Sequence, residues 1–145
     1  MSAPARITGA FRVEEVPGRR RGGRACVRLL EALEYRVGAA DGDEAISAPA
    51  GFETDFASIP WGLWNLFPPL GPWARPAILH DWLYATGGEG GRFSRARADA
   101  IFAEAMAVVG VPTWRRAVMW AAVRVGGRRG WVATVPTGIM EVRDA

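Results

Sequence analysis

His80 is the chain's only histidine, and an acid follows it directly in the stretch AILHDWLY. Tyr84 stands one helical turn further on, and Asp99 lies downstream in RARADAIFAEAM. A neutral imidazole held by a carboxylate is a general base, able to take a proton from water. A second carboxylate beside it, Asp81, would suit a hard cation if it faced a loop of backbone carbonyls. Together these groups would activate a water and stabilise an oxyanion through a metal. The same residues also suit a purely structural role, a buried His–Asp pair whose members satisfy each other. Spacing alone leaves both roles open.

The elements that must position these residues are helical. Pro76 suits a first helical turn, and PAILHDWLYAT runs from it to the glycines at Gly87 and Gly88. Ser94 is the expected N-cap of RARADAIFAEAMAVV, which Gly110 and Pro112 end. Asp99, Phe102 and Met106 share one face of that helix, bordered by Ala98, Ile101 and Ala105. Asp99 therefore points to the apolar side, where a carboxylate needs a donor. His80 and Tyr84 share a face of the preceding helix. The short connection makes the two helices antiparallel neighbours, which brings His80 toward Asp99. Asp81 is turned about 100° from His80 and is expected to face the loop TDFASIPWG. A third helix is expected from Thr113 to Gly126, with Trp114, Ala117, Val118, Ala121 and Val125 as its core face.

The N-terminal third has strand character. FRVEEV alternates briefly, and Ala25 to Val37 follows a period near two with one slip that suggests a bulge. GAADGDEA is turn material, followed by a short strand and loop in AISAPAGFETDFASIP. The expected fold is α+β in a single domain. A small N-terminal antiparallel β-hairpin or sheet would pack on a helical hairpin with a third helix. Residues 25–60 would form the β-rich part and its loop, and 76–126 the helical part. Residues 1–24 and 128–145 would be peripheral, with an extended tail.

Composition fits a folded domain. The chain has 145 residues, 50% hydrophobic and 23% charged, enough for a core and too little charge for a disordered chain. The net charge is +3, and arginine supplies all the basic residues. The clusters at Arg19–Arg21 with Arg24, and at Arg128 with Arg129, sit among glycines and read as solvated loops. Cys26 is the only cysteine, so it forms no internal disulfide, and with His80 it makes a poor zinc set. The N-terminus has neither the charged start nor the apolar run of a signal peptide. Phe56 to Ala74 is uncharged and long enough for a membrane span. Pro60, Pro68, Pro69 and Pro72 argue against a spanning helix. An irregular segment is expected instead, whose Trp61, Trp64 and Trp73 either meet a lipid interface or fill the core.

Two resemblances bear on function. PAGFETDFASIP, ILHDWLY, SRARADAIFAEAM and VGVPTWRRAVMWAAVRVGG together resemble a phage and prophage family known only as a domain of unknown function (number thirteen fifty-three). The agreement runs from about Tyr35 to Gly127. It implies a phage or phage-like particle, made in the bacterial cytoplasm, with other virion proteins as partners. It implies no activity.

Locally, HDWLY followed by ADAIF is similar to the helical pair of phospholipase A2, especially the disulfide-free form of parvovirus capsids. That resemblance implies a phospholipase A2-like helical core. It makes His80 the base that activates water and Asp99 the acid that orients it, with Tyr84 bonded to Asp99 and Phe102 packed behind. It also implies a calcium ion at Asp81 and, near it, a glycine-rich loop. Here that region offers only Gly62. Asp55, by its position in TDFASIP, is a further candidate acidic ligand; with Ser58 it also suits a turn or cap. A phospholipid surface would then be a second partner.

Other classes fit less well. Ser58, His80 and Asp99 would make a serine hydrolase, but there is no Gly-x-Ser-x-Gly elbow. The arginines are not interleaved with aromatics in a stacking platform, so no specific nucleic-acid binding is expected. A non-enzymatic tail or assembly protein that keeps a structural His–Asp pair is the main alternative to the hydrolase.

Overall fold

A computed structural model describes residues 6–21, 24–55 and 71–131. The chain is α+β, and its contacts divide it into two compact units, Met1–Asp55 and Phe56–Ala145.

The first unit is built from six short strands. These are β1 (Ile7–Thr8), β2 (Val13–Arg21), β3 (Arg24–Leu29), β4 (Leu33–Arg36), β5 (Ala45–Ala48) and β6 (Glu53–Thr54). They form two three-stranded antiparallel sheets, ordered β1-β4-β5 and β2-β3-β6. In the first sheet the alternation is strict: Leu33 and Tyr35 are buried, while Glu34 and Arg36 turn outward. Leu33 faces Ala48 and Tyr35 faces Ile46, so cross-strand pairs build the core there.

Ala25–Val37 is therefore not one bulged strand. Leu30, Glu31 and Ala32 are exposed, and the halves on either side belong to different sheets. The slip in the pattern marks a strand end, because shifting by one residue would turn the buried side chains to solvent. The irregularity of pairing lies instead in β2, between Glu15 and Arg20. Strands also reach into the segment expected to be peripheral, where Ile7 and Val16 are buried.

The second unit is helical. It holds α1 (Ala74–Ala85), a tight turn α2 (Gly87–Gly91), α3 (Arg95–Val108), α4 (Thr113–Gly126) and a closing 3-10 turn at Gly127–Gly130. Every residue from Pro76 to Tyr84 is buried, so α1 is the central helix, covered on all sides. Thr86 ends it by donating to the Trp82 carbonyl at 2.8 Å and accepting from Glu89 N–H at 3.0 Å. Gly88 then takes φ 70° against the Phe93 carbonyl, where a Cβ would collide. Ser94 caps α3 as expected, accepting from Arg97 N–H at 3.1 Å. At its other end the Gly110 and Val111 N–H groups bond back to Ala107 and Met106, a Schellman closure.

The face expected of α3 is the one it buries: Ala98, Asp99, Ile101, Phe102, Ala105 and Met106. The face expected of α4 is not. Its buried residues are Met119 and Val123, while Trp114, Ala117, Val118, Ala121 and Val125 are exposed. Among the described residues no helix is long and apolar enough to cross a membrane.

Candidate functional site

The site lies wholly within the helical unit. α1 carries His80 and, one turn later, Tyr84; α3 brings Asp99 beneath them. Asp99 is 0% exposed, and its two oxygens accept from three side chains. Oδ1 takes His80 Nε2 at 2.7 Å and the Tyr84 hydroxyl at 2.6 Å. Oδ2 takes Arg124 Nη1, from the last turn of α4, at 2.8 Å. Phe102, one turn after Asp99, stacks on the imidazole with ring centroids 4.6 Å apart.

Charges in the site follow from these bonds. Burial works to raise the Asp99 carboxyl, but hydrogen bonds from His80, Tyr84 and Arg124 outweigh it and hold the group below the usual carboxylate range. Asp99 is thus ionised and can only accept. His80 must then donate through Nε2, which leaves Nδ1 as the lone-pair nitrogen of the neutral ring. Burial pushes the His80 ring below the ordinary histidine range, against the pull of Asp99. Burial and the bond to Asp99 both raise the Tyr84 phenol, so it stays a donor.

Two arginines complete the cluster, neither of which helical spacing singles out. Arg95, one turn before Asp99, donates to the Tyr84 hydroxyl at 3.2 Å and to the Val123 and Arg124 carbonyls at 2.9 and 2.7 Å. It therefore adds a donor to the carbonyls of the last turn of α4 while fixing Tyr84. Arg124 neutralises Asp99. Its signal in the sequence is that it is the only charge between Arg116 and Arg128. Gly127 follows, where a Cβ would stand 2.8 Å from the Tyr84 hydroxyl. Trp131 meets the Tyr84 ring edge-on at 5.2 Å.

Residues 27–123 match the sequence profile of a family described as a protein of unknown function, DUF1353. The chain belongs to DUF1353. In this DUF1353 member the matched segment holds His80, Tyr84, Arg95 and Asp99 and stops one residue short of Arg124. No curated protein and no solved structure matches the chain.

Of the remaining expected site residues, Asp81 and Trp73 are described in the helical unit. Asp81 is on α1 beside His80 and is 9% exposed. The loop it was expected to face, and Trp61, Gly62 and Trp64 within or beside it, lie outside the described residues, as does Ser58. Asp55 follows β6 in the other unit. Trp73 is 3% exposed at the start of α1, with Arg115 over its ring at 5.7 Å, so it fills the core and does not present its indole to lipid. Among the described residues no three His, Cys, Asp or Glu side chains come together as a metal centre. Calcium takes about six to eight oxygens; Asp81 would supply its carboxylate to such a set, and the loop expected to supply the rest lies outside the described residues.

Proposed function

We propose that this chain is a phage-associated ester hydrolase of the phospholipase A2-like kind, with His80 as general base. One observation carries the reading: His80 Nε2 lies 2.7 Å from the buried Asp99 carboxylate, and donating to that ionised group orients the ring and makes Nδ1 the basic atom. In the reaction, Nδ1 takes a proton from water as its oxygen bonds to the ester carbonyl carbon. The tetrahedral oxyanion then collapses, the bond to the leaving alkoxide breaks, and the imidazolium returns the proton to it. Asp99 stays ionised throughout and stabilises the transient imidazolium. The tyrosine bond and the Phe102 stack hold acid and base in register. The phage setting rests on the family resemblance, and a phospholipid ester on the His-Asp-x-x-Tyr and Ala-Asp-x-x-Phe pair.

A second reading is favoured by a different observation. The His80 side chain is 0% exposed, so neither water nor an ester reaches it without an opening of the structure. The cluster would then be a structural knot in a tail or assembly protein.

Mixed-micelle hydrolysis separates the two. The wild-type chain is assayed with anionic and zwitterionic phospholipids, with added calcium and with chelator, beside His80→Gln. Losing a general base costs about 10²–10⁴ in rate. A loss of that size in a folded His80→Gln supports hydrolysis. Full activity in His80→Gln, or no turnover with any lipid and calcium condition, sinks it. Stoichiometric incorporation of the inactive chain into particles then favours the structural role.

A further inference from the structure

Among the described residues, the face of α4 left uncovered is its most apolar one. Trp114 is 55% exposed, Val118 39% and Val125 86%. Ala117 and Ala121 between them are exposed as well. Trp114, Val118, Ala121 and Val125 are spaced four, three and four apart, which keeps them in one seam along a helix. No charged residue falls within it. An uncharged seam of this length, left open beside a well-packed core, has a binding role as its ordinary explanation.

We propose that this face docks an amphipathic helix with acidic flanks, contributed by a partner protein. Two features select that occupant. The first is shape. Ala117 and Ala121 lie one turn apart in the middle of the seam, with Trp114 and Val125 toward its ends. Small central side chains let a second helix approach closely, at axis separations of about 8 Å. A helix that lies in a lipid surface instead needs bulky apolar groups along its whole face.

The second feature is charge. From 105 to 140 the chain has no Asp or Glu, and it has five arginines, at 115, 116, 124, 128 and 129. Arg115 borders the seam directly and Arg128 is exposed just beyond its end. Glutamates or aspartates flanking the partner's own seam would face Arg115 and Arg128 across the helix pair. A second copy of this chain would bring like charges together and is disfavoured by the same rule. This proposal stands independently of the hydrolytic reading, since the seam contains none of the cluster residues.

The test uses the full chain and a fluorescently labelled helical peptide with a leucine seam and glutamate flanks. The control peptide has the same seam with lysine flanks. The expected result is at least tenfold tighter binding of the glutamate peptide, weakening as salt rises. Val118→Glu and Ala121→Trp should each lower that affinity tenfold or more. Their thermal midpoints should stay within about 2 °C of wild type, as exposed positions allow. Equal binding of both peptides, or binding of neither, overturns the proposal. So does binding to phosphatidylglycerol vesicles that Ala121→Trp strengthens, which assigns the face to lipid. A concentration-dependent dimer that Val118→Glu abolishes overturns it in favour of a second copy.

Discussion

Acidification should destabilise the protein by an amount that one residue sets. His80 is neutral when folded because burial depresses its proton affinity, whereas in the unfolded chain it titrates near 6.5. Between those two values the unfolded state binds the extra proton, so stability rises with pH through that window. The full contribution is present above about pH 6.5 and is lost progressively as pH falls toward the folded-state value. If the buried ring stays neutral throughout, going from about pH 7.5 to about pH 5.5 costs RT ln 10, about 1.4 kcal/mol. His80 is the only histidine, so no other imidazole shares this slope. Asp99 acts in the same sense at lower pH: its depressed carboxyl contributes stability above the ordinary carboxylate value of 3.8, lost as pH falls through its folded-state value. Urea unfolding at constant ionic strength measures the slope, and His80→Gln is the control. The glutamine amide can still donate to Asp99 but carries no titrating proton. Wild type should lose about 1.4 kcal/mol over this range relative to the variant. Wild type gaining stability on acidification would mean that His80 is charged when folded, in an ion pair with Asp99, and the neutral ring on which the general-base role of Nδ1 rests would then be wrong. A flat difference would mean that burial does not depress the ring.

Three substitutions probe the cluster itself. Asp99→Asn removes the charge that Arg124 balances; breaking a buried pair costs about 3–5 kcal/mol, and the low end is expected because the Arg124 side chain is 32% exposed and can rehydrate. Denaturant midpoints measure it, and a loss below about 1 kcal/mol would remove the ion pair from the account of stability. Tyr84→Phe should cost about 1–2 kcal/mol, since Asp99 keeps its bonds from His80 and Arg124; a chemical-shift titration of the single imidazole should show its pKa moving, because one donor to their shared acceptor is gone. Gly127→Ala puts a Cβ 2.8 Å from the Tyr84 hydroxyl and should cost about 1–3 kcal/mol. In a double-mutant cycle part of that cost should vanish in the Tyr84→Phe background, and strict additivity would show that the hydroxyl is not what the new methyl meets.

The parts of this structure that were legible in the sequence are those fixed by local geometry. Asp99, Phe102 and Met106 share a face because of helical spacing alone, and a carboxylate on that face had to find donors. Ser94, Gly110 and Pro112 mark the ends of α3 by their own backbone chemistry. What was not legible depended on distant partners. Ala25 to Val37 keeps a strand-like period but for one slip, yet pairing with β2 and β6 takes one half and pairing with β1 and β5 the other. The orientation of α4 is the clearest case. Its most apolar stripe would ordinarily mark the core side, but Met119 and Val123 face inward instead. Arg124 must reach Asp99, and Arg95 must reach the Val123 and Arg124 carbonyls. These polar anchors at one end fix how the helix is turned, and the stripe is left outside.

The same anchors bear on what the cluster can do. A carboxylate strengthens a histidine base by stabilising the imidazolium that forms when the ring takes a proton. In this chain the charge of Asp99 is already met by Arg124 at 2.8 Å, and Arg95 stands on the far side of Tyr84. An imidazolium at His80 would therefore gain less from Asp99 than it would from an unpaired acid, and burial already holds the ring below the ordinary histidine range. The cluster as folded is arranged for strong cohesion and weak basicity. On the hydrolytic proposal, catalysis by His80 would require Arg124 to be drawn off Asp99. A phosphate group is the chemical partner best able to compete for a guanidinium fork, and a phospholipid ester carries one beside the bond to be cut.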